Sequence, residues 1–195
     1  MFRLFCMVLV LCCAIGCSTR VPPAGDARLQ APQAGSPNQP WVAFGRCTVI
    51  TPNLRLSCRA VVRRLPSGEV RLALLADEGL LVLDLTRGVT GIAVHAGQPD
   101  LRERAELISR TLLAWTTFPT AVGHWDDDRW VVTTPEGQYW CGGDPLLLRR
   151  IAGSGPDVEV GDYRQVPSGL LAHLSRLSSP TLSLTITLTP PEPGK

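Results

Sequence analysis

The chain has 195 residues, 45% of them apolar, with 19 basic and 17 acidic side chains and a net charge of +2. Such a length suits one domain with a substantial core. The balanced charge argues against the one-sided basic excess that a nucleic-acid surface requires, so no nucleic-acid partner is expected.

The first segment is an apolar run from Phe5 to Ile15 that follows a single positive charge, Arg3, and closes on small residues. It is too short to span a bilayer and reads as an export signal over residues 1–16. Its ending, Ala14-Ile15-Gly16-Cys17, resembles the lipobox of bacterial lipoproteins. The resemblance implies cleavage before Cys17, a diacylglycerol on the Cys17 thiol and an acyl chain such as palmitate on the new amine. One acyl chain holds a protein only marginally, with an association constant of about 10⁴ M⁻¹, whereas three anchor it durably. Ser18 follows, where an Asp would favour the inner membrane, so the resemblance implies an outer-membrane anchor facing the periplasm. Residues 17–40 carry Pro22, Pro23, Pro32, Pro37 and Pro40 without apolar periodicity, and read as a tether.

Strands come next. Trp41–Thr51 and Leu54–Leu65 alternate with period 2 and meet at Pro52-Asn53. Pairing Thr51 with Leu54 sets Cys47 opposite Cys58, close enough either for a cross-strand disulfide in an oxidising compartment or for two small buried thiols. The second strand is apolar on one face (Leu54, Leu56, Cys58, Ala60, Val62) and polar on the other (Arg55, Ser57, Arg59, Arg63). Leu65-Pro66-Ser67-Gly68-Glu69 fits a type I turn with a glycine bulge, which pairs Val62 with Leu72 and Ala60 with Leu74. After the turn Asp77-Glu78-Gly79 come strands Leu80–Thr86 and Gly91–Ala96.

The period then changes. Leu101, Ala105, Ile108, Leu112 and Trp115 recur at helical spacing, with Arg102, Glu103, Glu106 and Arg110 elsewhere, which predicts one amphipathic helix over residues 100–118. Asp100 and Glu103 resemble a capping box at its start. Strands resume at Arg129–Thr134 and Gln138–Gly142 around Pro135-Glu136-Gly137, where pairing Thr134 with Gln138 sets Val132 against Trp140. Leu146–Ala152, Val158–Val166, Leu171–Leu177 and the cleanly alternating Leu182–Leu188 complete the pattern.

The predicted fold is α+β and mainly β: a curled antiparallel sheet, or unclosed β-barrel, of about 10–11 strands over residues 41–190, covered by the lone helix. Lipidated N-terminus, opening strands, helical insertion and closing strands (Gly169–Leu177, then Leu182–Leu188) look like the lipoprotein-localisation (Lol) superfamily. The match is one of element order over residues 41–189. It implies an apolar half-barrel that binds an acyl chain or lipidated partner under a helical lid, in lipid or lipoprotein transport or insertion. Leu56, Val62, Leu72 and Leu74 from the sheet and Ile108, Leu112 and Trp115 from the helix are the expected lining. Leu80 and Leu81 lie where the family's receptor carries a membrane-inserting Leu.

Other chemistry has weaker support. His95, His124 and His173 are isolated, and Asp126-Asp127-Asp128 lacks calcium-loop spacing, so no metal and no cofactor are expected. The Asp run reads as a solvated turn. Gly142-Gly143 lacks the following Lys-Ser/Thr of a phosphate loop. Cys141 could be a nucleophile assisted by His124 or His173, yet a structural Cys on a strand fits its neighbours Tyr139-Trp140 better. The expected protein is therefore not an enzyme. The alternative to lipid handling is an interaction subunit of a cell-envelope assembly, with a filled core and an exposed strand edge for an envelope protein partner.

Overall fold

A computed structural model describes residues 39–88, 90–116, 122–143, 145–153, 155–166 and 169–189. The expected signal, Cys17 and nearly all of the tether lie outside them. The first five strands are β1 (Trp41–Ile50), β2 (Arg55–Arg64), β3 (Val70–Leu75), β4 (Leu81–Gly88) and β5 (Gly91–Gly97). Helices α1 (Pro99–Glu103) and α2 (Ala105–Arg110) follow, with a 3₁₀ turn over Thr111–Ala114. Seven further strands are β6 (Gly123–Asp126), β7 (Arg129–Thr134), β8 (Gly137–Gly142), β9 (Leu147–Ala152), β10 (Val158–Val166), β11 (Gly169–Ser178) and β12 (Ser183–Leu188).

All twelve form one antiparallel sheet in the order β5-β4-β3-β2-β1-β12-β11-β10-β9-β8-β7-β6, which stays unclosed. The two edges, β5 and β6, are consecutive strands in the chain. The segment that joins them must therefore cross from one edge of the sheet to the other. The 3₁₀ turn of that segment contacts both β3 and β11, which stand four positions apart in this order and would be about 19 Å apart on a flat sheet. The sheet therefore curls around the crossing segment, which packs on its concave side as a roof.

Alternation places the core. On β1 and β2, Cys47, Val49, Cys58, Ala60 and Val62 are buried while Arg46, Thr48, Arg59 and Arg63 are exposed. Cys47 pairs with Cys58, Val62 with Leu72 and Ala60 with Leu74, and Gly68 takes φ 86° in the intervening turn, all as the sequence reading expects. The helical stripe is likewise buried: Leu101, Ala105, Ile108, Leu112 and Trp115 have at most 2% exposure.

Four expectations need correction. The roof is not one helix: it breaks at Arg104 (φ −100°, ψ 9°), whose guanidinium turns back to the Asp100 carbonyl (3.0 Å) and carboxylate (2.8 Å). No capping box forms, because Gln98 is the N-cap and Asp100 accepts from Thr51 (3.0 Å) and Arg104 instead. Residues 117–118 lie outside the described set. The β7–β8 register differs by one residue, with Val132 opposite Tyr139 rather than Trp140 and Pro135-Glu136 as a two-residue loop. Gly137 belongs to β8, at φ 140°, where a Cβ would collide with the Ala152 carbonyl of β9. Finally β6 is an additional strand, so the count is twelve, and Asp127-Asp128 is the tight turn between β6 and β7, with Asp127 at φ 54°.

Candidate functional site

The site is built where the roof meets the concave face. Helices α1 and α2 pack on β4 and β5, and the 3₁₀ turn packs on β3 and β11. Six of the seven expected lining residues (Val62, Leu72, Leu74, Ile108, Leu112 and Trp115) are wholly buried, while Leu56 is half-buried and packs against this core. The structure brings them together as one filled interior. They do not line an open hollow, because side chains that interdigitate at native density leave no room for an acyl chain. A guest reaches these residues only by displacing the roof.

The roof is also held by polar ties. The Trp115 indole donates to the Ala172 carbonyl (2.8 Å), Ser175 donates to the Thr111 carbonyl (3.0 Å), and Arg64 donates to the Trp115 carbonyl (3.2 Å). Arg87 donates to the Ser109 hydroxyl (2.7 Å). On the far side Arg110 donates to the Pro156 carbonyl (3.2 Å) and the Glu136 carbonyl (3.3 Å). A neutral hydrogen bond contributes about 0.5–1.5 kcal/mol net, and one from a charged donor about 1.5–3. These ties are directional, so they fix where the roof sits rather than merely that it is buried.

Three of those donors escape the sequence reading. Arg64 and Arg87 point inward, in phase with Ala60 and Val62 and with Leu83 and Leu85, and pair across the sheet with the same residue, Val70. Both are nearly buried, at 4% and 8% exposure, as is Arg110 at 8%, which the helical pattern assigns to the solvent face. Burial lowers the pKa of Arg64 and of Arg110, the latter also through the neighbouring Arg87. The signal available in the sequence is parity: an Arg on the apolar phase of a strand has to find acceptors inside.

Beside the 3₁₀ end of the roof opens a pocket of about 410 Å³. Its walls include Arg87, Thr90, Leu113, Thr116, Glu136 and Tyr139, drawn from three separate stretches of chain, with Ser67-Gly68 as a fourth. None of the expected lining residues is among its walls. Tyr139 is buried and its phenol is pushed up to about 12, mainly by desolvation.

The remaining candidates are placed as follows. Cys47, Cys58 and Cys141 are free thiols, so no disulfide joins the first two, and Cys58 donates to the Cys47 carbonyl at 3.6 Å. Cys141 is buried and desolvation pushes its thiol up to about 12, which disfavours a thiolate nucleophile. His173 is buried with Nδ1 3.1 Å from the Leu188 carbonyl. Asp126 pairs with Arg129 at 3.2 Å on the surface, and among the described residues no group of three metal-binding side chains converges. Trp140 lies between Arg129 and Arg150, each 4.8 Å from the ring centroid. Leu80 and Leu81 are 68% and 46% exposed beside the β3–β4 turn.

Compared with known proteins, the chain matches no family model and no curated sequence.

Proposed function

We propose that this protein is a periplasm-facing outer-membrane lipoprotein, anchored through Cys17, that takes up an acyl chain or a lipidated partner between its curled sheet and its roof. The observation that carries this reading is the roof itself: a short, broken helical segment that seals a continuous apolar face and is held there by single hydrogen bonds. A roof of three short pieces is a poor structural staple, since helices this short are marginal without tertiary support. It is well suited to lifting. Because the interior beneath it is filled, uptake requires displacement of Ile108, Leu112 and Trp115, whose places against Val62, Leu72 and Leu74 the hydrocarbon would occupy.

Leu80 and Leu81 give the reading a membrane-facing end. Exposed leucines at a turn cost free energy in water and gain it in a bilayer interface, by about 25 cal/mol per Å² buried. The reading involves no enzymatic step, metal or cofactor.

Purified full-length protein is expected to take up a fluorescent fatty acid, with Leu72→Gln abolishing uptake and Leu80→Ser leaving it intact. Failure of uptake across chain lengths, with the fold intact by circular dichroism, contradicts the reading. Labelled palmitate is expected on the wild type and absent from Cys17→Ala, and membrane separation places the wild type with the outer membrane.

A second reading, an interaction subunit of an envelope assembly, draws on the convex face of β1. There Val42 and Phe44 are 51% and 64% exposed next to the β12 pairing. Stable co-purification with an envelope protein, lost in Phe44→Ser, together with absent lipid uptake would select it.

A further inference from the structure

The pocket at the end of the roof has a composition unlike the core beneath it. Arg87 is nine-tenths buried, yet its hydrogen-bond and ion-pair contacts among the described residues are the Ser109 hydroxyl at 2.7 Å and Glu106 at 3.6 Å, both through Nη1. Glu106 is 70% exposed, so that contact is weak and easily exchanged. The Nε and Nη2 edge of the guanidinium is thus left to the pocket. Such an edge presents two parallel N–H groups, the geometry that phosphate and carboxylate oxygens match. Glu136 lines the same space, its carboxyl held below its usual range by the Thr134 hydroxyl (2.8 Å) and its own amide, and further by Arg87. A pocket lined by one buried cation and one carboxylate disfavours a simple anion and favours a ligand that carries both charges.

The walls between them complete the fit. Thr90 and Thr116 contribute hydroxyls, and Leu113, next to the core residue Leu112, forms an apolar wall on the roof side. At about 410 Å³ the space lies within the range of small-molecule sites, roughly 300–1,000 Å³. A molecule seated there with its charged end on Arg87 and Glu136 would start its hydrocarbon at the very end of the roof.

We infer that this pocket binds a zwitterionic phosphoethanolamine group, its phosphate on Arg87 and its ammonium on Glu136. The inference rests on the acyl-uptake reading for the source of that group, a membrane phospholipid. The same chemistry is offered by free glycerophosphoethanolamine, and the test separates the two.

The test is binding of four probes to full-length protein in detergent micelles, followed by native mass spectrometry. The probes are dihexanoyl-phosphatidylethanolamine, dihexanoyl-phosphatidylglycerol, dihexanoylglycerol and glycerophosphoethanolamine. The wild type is expected to favour the ethanolamine lipid over the glycerol lipid by about tenfold, a difference of one charge-assisted contact. Glu136→Gln, on an exposed turn, is expected to remove or invert that preference while still discriminating both phospholipids from dihexanoylglycerol. Arg87→Gln is expected to lose that last discrimination. If Arg87→Gln fails to fold, the Glu136→Gln inversion alone decides. Equal binding of all three acylated probes, unchanged in Glu136→Gln, overturns the pocket while leaving acyl uptake standing. Binding of glycerophosphoethanolamine without any acylated probe upholds the pocket and overturns the acyl reading.

Discussion

Asp84 shows how one side chain can be read for its energetics. It lies between the inward Leu83 and Leu85 at 6% exposure and accepts from Arg71 Nε at 2.8 Å and Nη2 at 2.5 Å. That paired hydrogen bond holds the Asp84 carboxyl below its usual range, and burial opposes it without prevailing. A depressed folded-state pKa stabilises the fold above the unfolded value, near 4, and that contribution fades as pH falls through the folded value. Asp84→Asn is therefore expected to cost about 1–3 kcal/mol at neutral pH, with the gap to the wild type narrowing below about pH 4 in urea titrations. A constant gap from pH 7 to pH 3 would contradict this account. Thiols make a second case: the bond with Cys58 and burial raise Cys47 well above its ordinary value, and burial pushes Cys141 to about 12. Both are expected to resist iodoacetamide in the folded protein and to react in urea. Rapid labelling of the native protein would show that the interior opens at these sites.

Among the elements, the roof carries the most testable weight. Trp115 is wholly buried and bonded through its indole to Ala172, so Trp115→Ala is expected to cost about 3–5 kcal/mol in denaturant unfolding. By contrast Leu80→Ser, at a 68% exposed site, is expected to stay within about 0.5 kcal/mol of the wild type. Strand pairing was legible wherever the turn and the alternation agreed, as in β1 to β3, because a slip of one residue would turn every apolar side chain outward. It failed at β7–β8, where Gly137 looks like a turn residue. Its absent side chain instead lets the Ala152 carbonyl of β9 approach, a long-range contact that no local pattern encodes. The helical period likewise identified the buried face of the roof but not its break, since periodicity reports which side is wet and not whether the axis stays straight. β6 spans only four residues at an edge, too short for alternation to register.

For the molecule as a whole, topology and packing divide the question. Element order sufficed to place one crossing segment over a curled sheet, because β5 and β6 are edges at opposite ends of the strand order. Whether the space beneath was hollow could not be read in the same way, since it depends on how side-chain volumes from many strands interlock. The 410 Å³ pocket was hidden for a related reason: Arg87, Thr116 and Glu136 are far apart in the chain and meet only through the curl. Acyl uptake by this fold requires a movable roof, so that acyl chain and buried core compete for one volume. Hydrogen exchange of the full-length protein with and without a bound fatty acid tests this directly. The ligand is expected to deprotect amides of residues 99–116 while leaving those of β1 and β12 unchanged, and a bound ligand with an unaltered or more protected roof would contradict it.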